Sequence, residues 1–147
     1  MNSMSQAKQG TTDEGKIFHY SVGAVLERDG KYLMIDRSKI PYGFAGPAGH
    51  IDEDEEPEVA IKREVYEETG LNVTGHDLLF AEMIDWNECS YEVKGHYWYL
   101  YKCEFFGDVL EDSTEAKSIG WYTIDEIRSI KLEPVWKYWF EKLGIIL

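Results

Sequence analysis

Cysteine is scarce. The chain has only Cys89 and Cys103 in 147 residues, and they fit no metal-binding or redox spacing. A disulfide-stapled scaffold is thereby excluded, and reduced thiols packed as small apolar side chains are the simplest account of the pair. No hydrophobic run is long enough to span a bilayer and no signal peptide precedes the body, so a cytoplasmic protein that binds no membrane is expected. Positive charge is also short: 15 Lys and Arg stand against 28 Asp and Glu, a formal net charge of -13. Broad electrostatic binding to DNA, RNA polymers or anionic membrane is disfavoured by that balance. A phosphate-bearing small molecule stays possible where metal ions reverse the local potential. Internal repeats and low-complexity tracts are absent, and the length suits one domain with a real core.

Aromatic residues are plentiful, with five Trp and ten Tyr. Residues 1–15 are polar and lack a hydrophobic period, so they read as a flexible lead-in to a domain over 16–147. Ile17 to Glu27 reads as a strand, Asp29-Gly30 as a tight turn, and KYLMID as the returning partner. IPYGFAGPAGH is too rich in Pro and Gly for a regular element and leads into an acidic loop. A helix is predicted from Pro57, whose fixed φ suits the first turn, to Gly70 as C-terminal cap. Ile61 and Val65 make its apolar stripe, and Ala60 is placed on the acidic side as a small residue beside ligands. Strands follow over Asn72 to Asp85, His96 to Phe106 and Ile119 to Tyr122. Thr123 and Glu126 form a capping-box signature, and Pro134 opens a last helix through Leu143. Strands, helix, strands, helix imply an α+β or α/β layered domain: a mixed sheet between the acidic helix and the C-terminal helix. The WKYWFEKL run in that last helix reads first as a face buried on the sheet, and second as a homodimer interface.

The chemistry concentrates between Gly49 and Leu71. Glu64, Glu67 and Glu68 stand at i, i+3 and i+4, so on a helix their carboxylates leave from one side. Spacing of that kind is by itself usually a solvated face. Close carboxylates repel unless a cation lies between them, and oxygen donors suit Mg2+ or Mn2+. Arg63 leaves another side of the helix and is better placed to orient a carboxylate bidentately than to touch substrate. Glu55 reads as part of the same support, locking loop to helix.

Written out, the stretch is Gly49, five residues, Glu55, seven residues, then Arg63-Glu64-Val65-Tyr66-Glu67-Glu68-Thr69-Gly70-Leu71. It resembles the signature box of the Nudix hydrolases, which cleave nucleoside diphosphates linked to another moiety, and every fixed position of that box is met. KYLMIDRS looks like the family's strand ahead of the loop. GPAGHID is similar to its Pro-Gly-Gly-x-apolar-Glu, with Ala48 for the first Gly and Asp52 for Glu, and Asp54 stands where Gly is common. The resemblance implies a Nudix α/β/α sandwich and Mg2+-dependent hydrolysis of a pyrophosphate bond. It also implies Glu67 and Glu68 as metal ligands with the Gly49 carbonyl, and Glu64 as metal ligand or base toward the attacking water. Glu115, six residues before Trp121, falls where several members supply one more glutamate from a loop.

Substrate contacts lie outside the box. Arg37 and Lys39 could reach a phosphate or could be a solvated strand end. Tyr20, Phe44 and Trp86 are candidates for stacking on a base, although aromatics on strands more often belong to the core, as is expected of Phe18. His50 is expected to be structural or solvent-facing, and His19, His76 and His96 show no metal-ligand spacing. Subfamily marks, such as the SQPWPFP array of NADH hydrolases or a proline some 15 residues past the box, are not evident. Nucleoside triphosphates, ADP-ribose, nucleotide sugars and dinucleoside polyphosphates all remain open. A nucleotide or metabolite sensor on the same fold is the alternative, although its box would be degenerate and this one is intact. Isomerisation of a prenyl diphosphate would need a catalytic cysteine, and neither Cys89 nor Cys103 has that context.

Overall fold

The computed structural model describes residues 6–38, 42–87, 93, 95–110 and 116–147. Along the chain come β1 (Gln9–Thr11), β2 (Ile17–Val25), β3 (Glu27–Arg28), β4 (Lys31–Arg37), β5 (Gly43–Ala45) and β6 (Ala48–His50). After them stand α1 (Pro57–Thr69), β7 (Asn72–Ile84), β8 (His96–Phe106), β9 (Ala116–Tyr122), α2 (Ile124–Ser129) and α3 (Pro134–Lys142). One sheet is mixed, in the order β1-β2-β8-β7 with β6 on β2, and its β2–β8 ladder is parallel. A second, antiparallel sheet joins β3, β4 and β5, with β9 on β4.

The chain therefore uses the Ile17 to Glu27 run differently from the simple hairpin expected. At Leu26 it leaves the mixed sheet, and only Glu27–Arg28 pair with β4, around Asp29 (φ 54) and Gly30 (φ 76). Two successive positive φ values define the turn whose twist matches a tight hairpin. The long partner of β4 is β9. Part of the expected irregular lead-in is also ordered, since Gln9–Thr11 pairs with His19 to Ile17. Within the Pro- and Gly-rich segment, two short strands form where none was expected. β6 completes an edge of β2 and β5 an edge of β4.

Alternation along β2 and β8 divides the interior. Val22 and Ala24 of β2, with Tyr101 and Cys103 of β8, face α1 and meet its Ala60, Ile61 and Val65. Val25, Trp98 and Leu100 face the other way and meet Val135, Trp136, Trp139 and Phe140 of α3. A strand exposes successive side chains to opposite faces, so one pair of central strands feeds both cores. The aromatic run of the last helix is buried on the sheet, as expected. Ala60 differs from expectation: it is fully buried in the α1 core and does not line the acidic side. No described helix is long and apolar enough to cross a membrane.

Helix α1 starts with Pro57 in its first turn and ends at Gly70, which donates its N–H to the Tyr66 carbonyl and, with φ 81, turns the chain out of the helix. A Cβ at Gly70 would lie 2.5 Å from Leu110 Cγ. Gly70→Ala should therefore cost about 1–3 kcal/mol, from the left-handed backbone and from crowding together. Urea unfolding measures it, and a loss below ~0.5 kcal/mol would show that this cap does not fix the helix end.

Candidate active site

Arg63 is the centre of the acidic array. Its Nε donates to Glu55 Oε2 at 2.7 Å and its Nη2 to Glu55 Oε1 at 2.8 Å, a two-pronged hold of one carboxylate. Nη2 also donates to the His50 carbonyl at 3.0 Å and lies 3.7 Å from Asp52. Nη1 donates to Glu64 at 2.8 Å and to Glu67 at 3.3 Å. Glu55 in turn accepts from the Asp52 backbone N–H at 3.1 Å. One guanidinium thus ties the loop after β6 to the middle and last turns of α1, which is what its flat fork of donors permits.

The same cation leaves two carboxylates in opposite states. Hydrogen bonding to Arg63 holds Glu55 below the usual range. Glu64 receives a single bond from that arginine and is largely buried, so desolvation pushes it up to about 7 against the pull of Arg63. Carboxylates driven apart in this way suit different roles in acid–base chemistry.

Gly49 is required by the close approach of β6 to the helix, since a Cβ there would fall on the Glu64 carboxylate. Glu68 accepts from the Ala48 N–H at 2.8 Å, one residue before Gly49. Glu67 is the more exposed of the three helix carboxylates named at this site, with 56% of its side chain accessible against 14% for Glu64. Gly49, Glu55, Arg63, Glu64, Glu67 and Glu68 are therefore brought to one place. The donor set fits Mg2+: hard oxygens from one helix face, against a glycine cradle, with a carboxylate whose ionisation is opposed until a cation is near.

The remaining candidates scatter. Arg37 Nε lies 3.6 Å from Glu133 Oε2, a buried carboxylate pushed up to about 7 by desolvation and pulled down by that arginine. Phe44 pairs with Asp36 and Arg37 with Gly43, so the two lie on opposite faces of their sheet. Phe44 is half-buried against Tyr122, and Trp86 is half-exposed with its ring edge-on to Tyr138. Tyr20 is half-buried among Phe18, Tyr97 and the Lys8 ammonium. Lys39, Glu115 and Cys89 lie outside the described residues. Cys103 is buried and pushed up to about 12 by desolvation, with Asp77 adding to the shift, which leaves its thiol inert at neutral pH.

Three histidines converge that are far apart in the sequence. His50 is half-buried beside two others, and His19, His50 and His96 offer ring nitrogens within 4.8 Å of one another. Burial, then His96 and His19, push His50 down to about 4. Three separate strands supply these residues, so no linear spacing signals the cluster. Glu133 was missed too, because an acidic residue ahead of a helix-opening proline reads as an ordinary cap.

The chain is similar to known proteins. The NUDIX domain model matches residues 17–143. A MutT-like protein of Streptomyces ambofaciens is 30% identical over 125 residues, covering 84% of this chain and 75% of that protein. Mouse (Mus musculus) diphosphoinositol polyphosphate phosphohydrolase 3-alpha is 31% identical over 127 residues, covering 81% of this chain and 72% of its own. The fold is shared with the crystal structure of a MutT NUDIX hydrolase from Burkholderia pseudomallei: TM-score 0.71, 24% identity, 83% of this chain and 95% of that one. The chain belongs to the NUDIX family and is a pyrophosphohydrolase of that family.

The state of Glu64 has a consequence for stability. A carboxylate raised from 4.5 to about 7 contributes stability below its unfolded value and loses it as pH rises through about 7. In chelator-treated protein, Glu64→Gln should therefore gain on the wild type by ~1–3 kcal/mol between pH 5 and pH 8. Thermal melts across that range measure it, and a pH-independent difference would show that Glu64 is ionised throughout.

Proposed function

We propose that this protein hydrolyses, with Mg2+, a pyrophosphate bond in a nucleoside diphosphate linked to another moiety. Nucleoside triphosphates, ADP-ribose, nucleotide sugars and dinucleoside polyphosphates make up the substrate class. The observation that carries this reading is the Arg63-centred array, in which one guanidinium holds Glu55, Glu64 and Glu67 against the Gly49 strand.

Glu67 and Glu68, with Gly49, are the assigned ligands, and Glu64 is ligand or base. When bound, Mg2+ supplies charge neutralisation on the phosphoryl oxygens and acidification of the attacking water. Glu64, buried against Gly49, is placed to accept a proton from that water once a nearby cation favours its ionised form. Arg63 and Glu55 are positioning residues: they fix where the Glu64 and Glu67 oxygens stand and do not touch substrate. Glu115 is kept as a further base or ligand from its loop. Trp86 and Phe44 are the assigned stacking surfaces for the nucleotide, with Tyr20 a third. Arg37 and Lys39 are assigned to phosphate.

A screen of the four substrate classes and NADH, with and without Mg2+ and read by phosphorus NMR, tests the reading. Cleavage of at least one class at a bridging phosphorus is expected, and Glu64→Gln should lower kcat by about 100-fold or more. Nucleotide and Mg2+ binding without turnover of any of them would overturn this substrate class.

Arg63→Lys separates positioning from charge. It keeps the positive charge and loses the fork, so kcat should fall on the order of 100-fold while KM stays within a few-fold. An unchanged kcat would show that charge alone suffices.

A further inference from the structure

We propose that His19, His50 and His96 form a second metal site, which takes a transition-metal ion of the Zn2+ type through three imidazole nitrogens. The inference stands apart from the carboxylate chemistry on α1 and does not depend on it.

Geometry carries the assignment. His19 and His96 are cross-strand partners in the parallel β2–β8 ladder, and His50 enters from β6 on the opposite edge of β2. Nε2 of His50 lies 3.2 Å from Nε2 of His96. Two nitrogens bound at ~2.0–2.1 Å to a tetrahedral ion stand roughly 3.3 Å apart, so this pair is already spaced to share one ion. The three ligand atoms lie within 4.8 Å of one another, which leaves His19 only a small side-chain adjustment to make.

The surroundings are those of a built site. Nδ1 of His96 faces the Asn87 carbonyl oxygen at 2.7 Å, and donation there keeps the His96 Nε2 lone pair directed at His50. The Asn87 side chain is itself fixed, because its Oδ1 accepts from Trp98 Nε1 at 2.9 Å. His19, Asn87 and His96 are all buried. Without a metal, the 3.2 Å contact is a hydrogen bond from His50 Nε2–H to His96. Metal binding asks His50 to carry its proton on Nδ1 in place of Nε2, so no net proton is lost.

Ligand chemistry separates the two sites. Imidazoles favour Zn2+, Co2+ or Ni2+, whereas carboxylates and water favour Mg2+. Three protein ligands leave a position for water or an anion. The His50 carbonyl accepts from Arg63, so an ion on its ring would brace β6 just where Gly49 meets Glu64.

Co2+ is the probe, added to the chelator-treated full chain in excess Mg2+ to occupy oxygen sites. We expect one equivalent to give the intense visible bands of low-coordinate Co2+, displaced by Zn2+ and retained in the Glu67→Gln/Glu68→Gln double variant. His96→Gln should weaken binding by roughly 100-fold or more, since even an outer partner of a ligating histidine is worth 10–100-fold. His19→Gln should do the same, and it decides the matter if His96→Gln fails to give the wild-type circular dichroism. Absence of the bands in the wild type, or bands of equal affinity in the folded histidine variants, would overturn the site.

Discussion

The grip of Arg63 on Glu55 is the contact from which the rest of the site is built. It satisfies both oxygens of one carboxylate and leaves the remaining donors for Glu64, Glu67 and the His50 carbonyl. Charge-assisted bonds of that geometry are stronger and more directional than neutral ones. They join an irregular acidic loop to a regular helix, so the loop inherits the helix's rigidity. Without that anchor, Glu64 would lose its Arg63 partner while staying buried, which is the costly way to break a charged pair.

The scaffold behind this contact works by alternation. Because β2 and β8 are central and parallel, each places alternate side chains in two separate cores, one beneath α1 and one beneath α3. The α1 core sets Val22, Ala24, Leu26 and Tyr101 against the helix, where Ala60 and Ile61 are fully buried. The α3 core takes the large rings Trp98, Trp136, Trp139 and Phe140. β6 connects the two sides. Its Gly49 meets Glu64 on the α1 side, while the rings of His19 and His96 surround that of His50, its neighbour in sequence. A three-residue strand thus borders both the carboxylate array and the histidine cluster.

Much of this was legible in the residues themselves. The bounds of α1 followed from Pro57 and Gly70, since one has a fixed φ and the other tolerates a positive one. The capping box of Thr123 and Glu126 formed as its spacing indicates. Arg63 and Glu55 were readable as a support, although the i,i+4 spacing also brings Arg63 to Glu67, on the side of the helix from which its place next to Glu64 was expected to turn it. The Leu26 crossover, the pairing of Gln9–Thr11 and the short strands around Pro47 were not legible. They depend on which edges of β2 and β4 need hydrogen-bond partners, and a local pattern carries no information about a distant edge.

The sequence by itself determined the helix, its caps, the order of carboxylates along it and hence the family, because these are local and periodic properties of a chain with fixed backbone geometry. Tertiary structure alone decided the ionisation of Glu64, the burial of Ala60 and the separation of Arg37 from Phe44. It also decided the meeting of His19, His50 and His96. Each of those depends on what a different strand brings alongside, through desolvation, packing or register, and none is encoded in the spacing of its own neighbours.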